Sequence, residues 1–266
     1  MTNAQIQGLN AQADESELCA TEYSIYPLAE ALFFGVVVFL AIFLTTYFIY
    51  HHALNAQKGE IKQGLVRTGA VLAAFVDGDM QKLFVSRDQE TSDLYKSALI
   101  PFRKTLDADP SIAFVYTAIL RDDKVYFILD PTPEGDANHD GVDDKSHIMQ
   151  EYTDASVAIQ QALKEQKVVT SDEPYKDQWG SFVSSYTPLY DAQNKFVGVV
   201  GIDVHADTYF ERLAPIKRAT IRAMVTGFFI SFLIAATVWF TRNFSKVINR
   251  SRRSIYIEYE RIKARL

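Results

Sequence analysis

The sequence predicts an α+β domain, built on an antiparallel sheet and held between two membrane-spanning helices. Three observations predict it. The windows Leu32–Tyr50 and Ala223–Phe240 carry no charged side chain over 19 and 18 residues. Between them lie segments rich in β-branched and aromatic residues, joined by short polar turns. Helical patterns run directly into both apolar windows.

At 1.5 Å per residue the first window spans roughly 28 Å, close to the ~30 Å hydrocarbon core of a bilayer. Tyr47, Tyr50 and Trp239 sit near the window ends, where amphipathic rings favour the interface. A buried core helix would keep a polar stripe, and neither window has one. The first apolar run begins behind an acidic segment rather than a basic one, so a cleaved signal peptide is not expected.

The net charge of −6 hides its distribution. Residues 1–31 hold five acids and no Lys or Arg, whereas residues 241–266 hold eight Lys/Arg and two Glu. That leaves −7 for residues 51–222. The basic tail is therefore expected in the cytoplasm by the positive-inside rule. Two crossings then place the N-terminus there too, with residues 51–222 outside. The domain plan is an acidic cytoplasmic tail (1–31), a first span (32–50), an extracytoplasmic domain (51–222), a second span (223–240) and a basic cytoplasmic helix (241–266). An acidic chain is not expected to bind nucleic acid. The single cysteine, Cys19, excludes an intrachain disulfide and a Cys-based zinc cluster.

Within the outer segment, Ile61, Leu65, Val66, Ala70, Leu72 and Phe75 form a helical stripe that continues the first span towards Phe84. Residues 76–79 are expected to interrupt it. A second helix is predicted over Thr91–Leu106, closed by Asp107–Pro110. Ala113–Leu120 and Val125–Asp130 read as strands joined by a turn at 121–124, and Pro131–Ser146 is a polar stretch. A short helix at Asp154–Glu165 and a brief strand at Val168–Thr170 follow. Phe182–Tyr190 and Phe196–His205 are strands around the turn 191–195, and a helix from Asp207 to Arg222 feeds the second span.

Three pieces carry a family resemblance: Val115-Tyr116-Thr117, the loop GDANHDGVDDKS at 135–146, and WGSFVSSYTPLYDAQNKFVGVVGIDV at 179–204. Together with the layout they resemble the Cache (PAS-like) extracytoplasmic sensor domains of two-span bacterial receptors, over roughly residues 55–212. The resemblance implies a PAS-like antiparallel sheet with a long N-terminal helix. It also implies a place in a bacterial inner (plasma) membrane with the domain in the periplasm. Similar domains sit on chemoreceptors, histidine kinases and nucleotide cyclases, where they bind small ligands and pass a conformational change inward.

The sharpest local signal is D-x-N-x-D-G-x-x-D at 136–144. Oxygen ligands at alternate positions converge on a hard cation, and Gly141 at the sixth place permits the sharp turn. Asp136, Asn138, Asp140, the Val142 carbonyl and Asp144 are the expected Ca²⁺ ligands. The loop resembles those of EF-hand and thrombospondin-repeat proteins but has His147 where an EF-hand has its bidentate Glu. A solvated acidic turn is the competing reading, since Asp, Asn and Gly are common turn formers. His139 and His147 flank the loop without spacing that supports a transition metal.

The second constellation is a candidate ligand pocket. On the strand 196–205, period-two alternation puts Val197, Val199, Gly201 and Asp203 on one face and Phe196, Val200, Ile202 and Val204 on the other. A carboxylate in such a strand needs a partner. In amine- and amino-acid-binding Cache domains a similarly placed Asp receives the ligand ammonium, so the resemblance implies a small, amine-bearing ligand at Asp203. Trp179, Tyr116, Tyr126 and Tyr186 are the aromatic candidates to enclose it. Trp179 lacks the Arg two residues earlier that marks amino-acid binders. In the competing reading Asp203 caps the exit helix or pairs with a structural Lys or Arg, and the aromatic residues are simple core.

No nucleophile elbow, zincin helix, P-loop or dinucleotide fingerprint is present, so no enzymatic activity is expected of the chain itself. In the tail, Phe244, Ile248, Ile255, Tyr259, Ile262 and Leu266 approach a heptad seam, suited to a parallel homodimer. The same basic helix could instead lie on anionic lipid. A cytoplasmic output module is expected elsewhere, on further sequence or on a partner protein. The sequence thus supports a sensory receptor subunit first. Second, it supports a membrane-anchored assembly protein whose calcium-stabilised outer domain binds another protein.

Overall fold

The computed structural model describes residues 26–136 and 141–264. Two compact units are present. One contains the described residues up to Ile49 and from Ala219 onward, and the other is Tyr50–Arg218.

Helix α1 (Pro27–Phe75) runs through both units as 49 residues. Its outer stretch buries Ile61, Leu65 and Leu72, spaced so that they share one face. The helix ends at the predicted interruption. Asp77 caps the short α2 (Gly78–Gln81) by accepting from the backbone N–H groups of Asp79 and Met80. Gly78 is required there, because a Cβ would fall 2.4 Å from the Tyr190 carbonyl oxygen.

The single helix predicted over 91–106 is three pieces: a 3₁₀ turn at Arg87–Thr91, α3 (Asp93–Ala98) and α4 (Ile100–Ala108). Pro101 lies in the first turn of α4. It lacks an N–H to continue α3, so the chain breaks at Leu99 and restarts.

The sheet is fully antiparallel. Its strands are β1 (Phe114–Arg121), β2 (Lys124–Phe127), β3 (Val169–Thr170), β4 (Tyr175–Asp177), β5 (Gly180–Tyr190) and β6 (Phe196–His205). They lie in the order β2-β1-β6-β5-β3, with β4 also pairing β5. Helix α5 (Val157–Glu165) is inserted between β2 and β3, and α6 (Ala206–Lys263) leaves β6 directly. Asp122 and Asp123, both at positive φ, turn β1 into β2 as a two-residue hairpin loop requires. This is the α+β order expected from the sequence, with an antiparallel sheet and a long N-terminal helix. Strand β4 is an element that sequence patterning did not single out.

The sheet buries both faces. One face carries Val115, Val183, Val200, Ile202 and Val204, packed with Leu65, Leu72 and Phe102. The other carries Tyr116, Ala118, Phe127, Phe182, Tyr186 and Val199, packed with Ile159 and Leu163 of α5. The predicted alternation along β6 holds from Val199 onward. It fails before that: Phe196 packs with Val199, and Val197 packs on the opposite face. The pairing with β5 shifts register between Leu189 and Tyr190, and Gly198 takes φ +145°. A bulge there inverts the two leading side chains.

In the first unit, α1 and α6 each contain a stretch long and apolar enough to cross a membrane. Small residues bring the two helices together. A Cβ on Gly35 would lie 2.9 Å from the Ala235 Cβ, and one on Gly227 would lie 2.5 Å from Ile42 Cγ2. Phe39 and Phe228 meet edge to face at 6.3 Å. Arg242 pairs with Glu30 at 2.6 Å.

Candidate functional site

A cavity opens on the α5 side of the sheet, over the start of β1 and the end of β6. Asp203 of β6 stands between Phe114 of β1 and Ser184 of β5. Two residues earlier, Gly201 leaves room for the Tyr116 ring, since a Cβ there would fall 2.6 Å from a ring carbon. The glycine thus lays the phenol flat across β6 beside the carboxylate. Phe127, edge-on to Tyr116 at 5.1 Å, meets Trp179 at 5.4 Å, and Tyr152 packs on both Phe127 and Trp179. Phe114 and Phe182 close the remaining wall. The free space is about 290 Å³ when the open solvent at the mouth is counted. The cavity itself has room for about one water, or for a group of that size such as an ammonium.

The rim is the polar stretch after β2, fixed by three anchors. Asp130 accepts from Thr132 N–H and from both the N–H and the hydroxyl of Ser146. Trp179 Nε1 donates to the Asp143 carbonyl at 2.9 Å. Glu90, almost fully buried, accepts from Ile148 N–H at 2.8 Å and contacts His147 Nδ1 at 3.1 Å and Lys145 Nζ at 3.5 Å. These partners hold the Glu90 carboxyl below its ordinary value against the opposing effect of burial. Glu90, Glu134 and His147 bring ligand atoms within 4.8 Å of one another. Lys145 already supplies a positive charge there, so the cluster is satisfied as a clasp.

Asp203 is different. Its residue is 3% exposed, and its Oδ1 has no hydrogen-bond partner. The Tyr116 hydroxyl, also buried, has none either. Burial pushes the Asp203 carboxyl up to about 7, and the negative charges of Asp177 and Asp130 add to the rise. The nearby Ser184 and Tyr116 hydroxyls offset this only in part. Asp177 is matched instead, accepting from the Tyr152 hydroxyl and from Trp179 N–H. Behind the cavity, Tyr175 and Tyr186 share a hydroxyl contact of 3.0 Å, and Tyr186 reaches Ser156. Chemically the cavity offers one unpaired buried carboxylate oxygen and one unpaired phenol within aromatic walls. A cation with N–H donors complements that set.

Of the residues singled out from the sequence, Asp203, Trp179 and Tyr116 meet in this cavity. Tyr186 lies behind it in the same aromatic cluster. Tyr126 does not line it. It faces Ile119 across the β1–β2 pair, and the next residue, Phe127, takes the wall position, because adjacent strand residues point to opposite faces. Sequence reasoning missed Asp130, Asp177, Phe114, Phe127, Tyr152 and Phe182. Period two from accepted residues reaches two of them, Phe114 from Tyr116 and Asp177 from Trp179.

In the Asp-rich loop, Asp136 Oδ2 accepts from Gly141 N–H at 2.8 Å, and Gly141 takes φ +90°. Val142 packs against the aromatic cluster and Asp144 lines the cavity mouth. Asn138 and Asp140, two of the expected Ca²⁺ ligands, lie outside the described residues, as does His139. Cys19 and Leu266 also lie outside them.

No protein-family model and no curated protein matches the sequence. Solved structures similar in fold include the ligand-binding domain of the Campylobacter jejuni chemoreceptor Tlp3 in complex with L-valine. The likeness is at 13% identity, TM-score 0.41, covering 67% of each chain. The Escherichia coli DcuS sensor domain matches at 13% identity and TM-score 0.40, over 60% of this chain and 98% of that one. The periplasmic sensory domain of the Campylobacter jejuni chemoreceptor Tlp1 matches at 18% identity and TM-score 0.36, over 60% and 59%.

Proposed function

We propose that the chain is a sensory receptor subunit whose outer unit binds a small cationic ligand at Asp203 and relays binding inward through α1 and α6. One observation carries the reading. A carboxylate oxygen is buried without a partner inside an aromatic cavity, and such a group costs stability unless something occupies it. The relay works through differential affinity: the ligand shifts only those helix arrangements that it binds unequally. The apolar stretches of α1 and α6 cross the inner membrane, with both termini cytoplasmic and the acidic unit outside. The basic tail pairs with a second copy or lies on anionic lipid, and acts on a cytoplasmic output module or partner. Calcium in the 136–144 loop, held by Asp136, Asn138, Asp140, the Val142 carbonyl and Asp144, would brace the cavity rim.

Exposed Phe75, Leu83 and Val85 favour a second reading, a membrane-anchored assembly protein. The partly polar cavity at Asp203 favours the sensor. The test is a thermal-shift screen of small organic cations on the full chain in lipid nanodiscs. A stabilising hit that Asp203→Asn abolishes supports the sensor. Hits unaffected by that substitution, or no hit across the library, count against it.

A further inference from the structure

We infer that the ligand is a primary amine with a compact apolar body and no carboxylate, so that free α-amino acids are excluded. The inference rests on the cavity reading above and narrows it. A bound amino acid brings an ammonium and a carboxylate together, and both need partners once water is stripped away. Among the described residues, no Lys, Arg or His lines the cavity. Basic groups of the rim and the adjoining cleft are committed or peripheral. Lys145 and His147 turn away to Glu90. His205 lies in the adjoining outer cleft, its ring tilted against Phe182.

The polar lining is acidic instead: Asp130, Asp144, Asp177 and Asp203. A ligand carboxylate would enter a field of its own sign, with no donor side chain of opposite charge to receive it. The donors on the lining are given elsewhere except the Tyr116 hydroxyl, which lies beside the Asp203 carboxylate, where a second carboxylate is repelled. Both the N–H and the hydroxyl of Ser146 are given to Asp130, the Trp179 indole N–H to the Asp143 carbonyl, and the Tyr152 hydroxyl to Asp177.

The ammonium end is specified just as narrowly. Asp203 Oδ1 and the Tyr116 hydroxyl are both buried and unpaired. A primary ammonium has N–H bonds for the two oxygens. A quaternary ammonium has none and leaves both unmet, which is the costly case. The rest of the ligand meets the rings of Phe114, Phe127, Trp179 and Phe182, so it is apolar.

The test compares matched pairs by calorimetry on the full chain in nanodiscs, at a pH of about 8. Isobutylamine is set against L-valine, and phenethylamine against L-phenylalanine and against trimethyl(phenethyl)ammonium. Each is repeated with Asp203→Asn and with Tyr116→Phe, which keeps the ring and removes only the hydroxyl. The expected result is binding of at least one amine tenfold or more tighter than its amino acid and its trimethylated analogue. That binding should be lost in Asp203→Asn and weakened several-fold in Tyr116→Phe. Should Asp203→Asn not fold, the Tyr116→Phe arm decides alone. An amino acid binding as tightly as its amine, and sensitive to either substitution, overturns this inference and leaves the cavity reading standing. Binding of neither class, or binding indifferent to both substitutions, overturns the cavity reading and the inference with it.

Discussion

Replacing Asp203 with Asn tests the cavity with no ligand present. The substitution keeps the shape of the side chain and removes its charge. In the folded wild type burial raises the carboxyl from 3.8 to about 7. At 1.36 kcal/mol per pH unit, this rise is worth about 4 kcal/mol. Below 3.8 the carboxyl is neutral in both folded and unfolded chains and contributes nothing. Between 3.8 and about 7 the unfolded chain releases its proton while the folded chain keeps it, so stability falls as pH rises. Above that window both states are ionised and the full penalty stands. The Asn variant escapes the penalty, although its unpaired amide takes back about 1–3 kcal/mol. In acid it should therefore trail wild type by that cost, and the difference should reverse through the window. At a pH of about 8 the variant should lead by roughly 1–3 kcal/mol. In a domain of this size each kcal/mol moves Tm by about 2–4 °C. Thermal unfolding of both proteins in nanodiscs, followed by tryptophan fluorescence across pH, measures the gap. Trp179 in the cavity wall reports directly on the outer unit. A variant less stable than wild type by the same amount at every pH would refute the reasoning and make Asp203 a structural hydrogen-bonding residue.

Two further expectations concern other parts of the chain. Calcium should raise the melting temperature of the full protein, by about 2.7 kcal/mol of stabilisation at 100 times its dissociation constant, and Asp140→Ala should abolish the effect; a wild type indifferent to calcium would remove the metal from the loop. In membranes, single cysteines placed at 248, 255 and 262 in a Cys19→Ser background should cross-link between subunits, and cysteines at 250, 253 and 260 much less. Equal cross-linking at all six places, or none, would mean that the tails do not pair.

Much of the architecture was legible because it depends on short-range periodicity. The apolar windows, the strands β1, β5 and β6 and the break after Phe75 follow from residue type and spacing alone. So does the burial of Asp203 on the Gly201 face of β6, since period two is a local property. Local patterns fail where one residue changes the geometry. Pro101 divided an apparently single helix, and the bulge at Gly198 inverted Phe196 and Val197. Tyr126 looked equivalent to Phe127 in composition, yet only one of two neighbours can face the cavity.

What the sequence determined by itself was the charge plan, the apolar helices, the α+β class and the presence of an acid needing a partner. Only the tertiary structure decided whether that partner is supplied by the protein. Asp130, Asp177 and Asp203 are the same residue type on the same face of one domain. Two of them receive donors, from Thr132 and Trp179 two residues along the chain and from Ser146 and Tyr152 brought in by folding, and the Oδ1 of the third receives none. Spacing along the chain encodes the contacts of Thr132 and Trp179, but not those of Ser146 and Tyr152, which meet their acids across the fold. The unmatched Asp203 oxygen therefore became visible only once the sheet, the rim and the aromatic walls were in place.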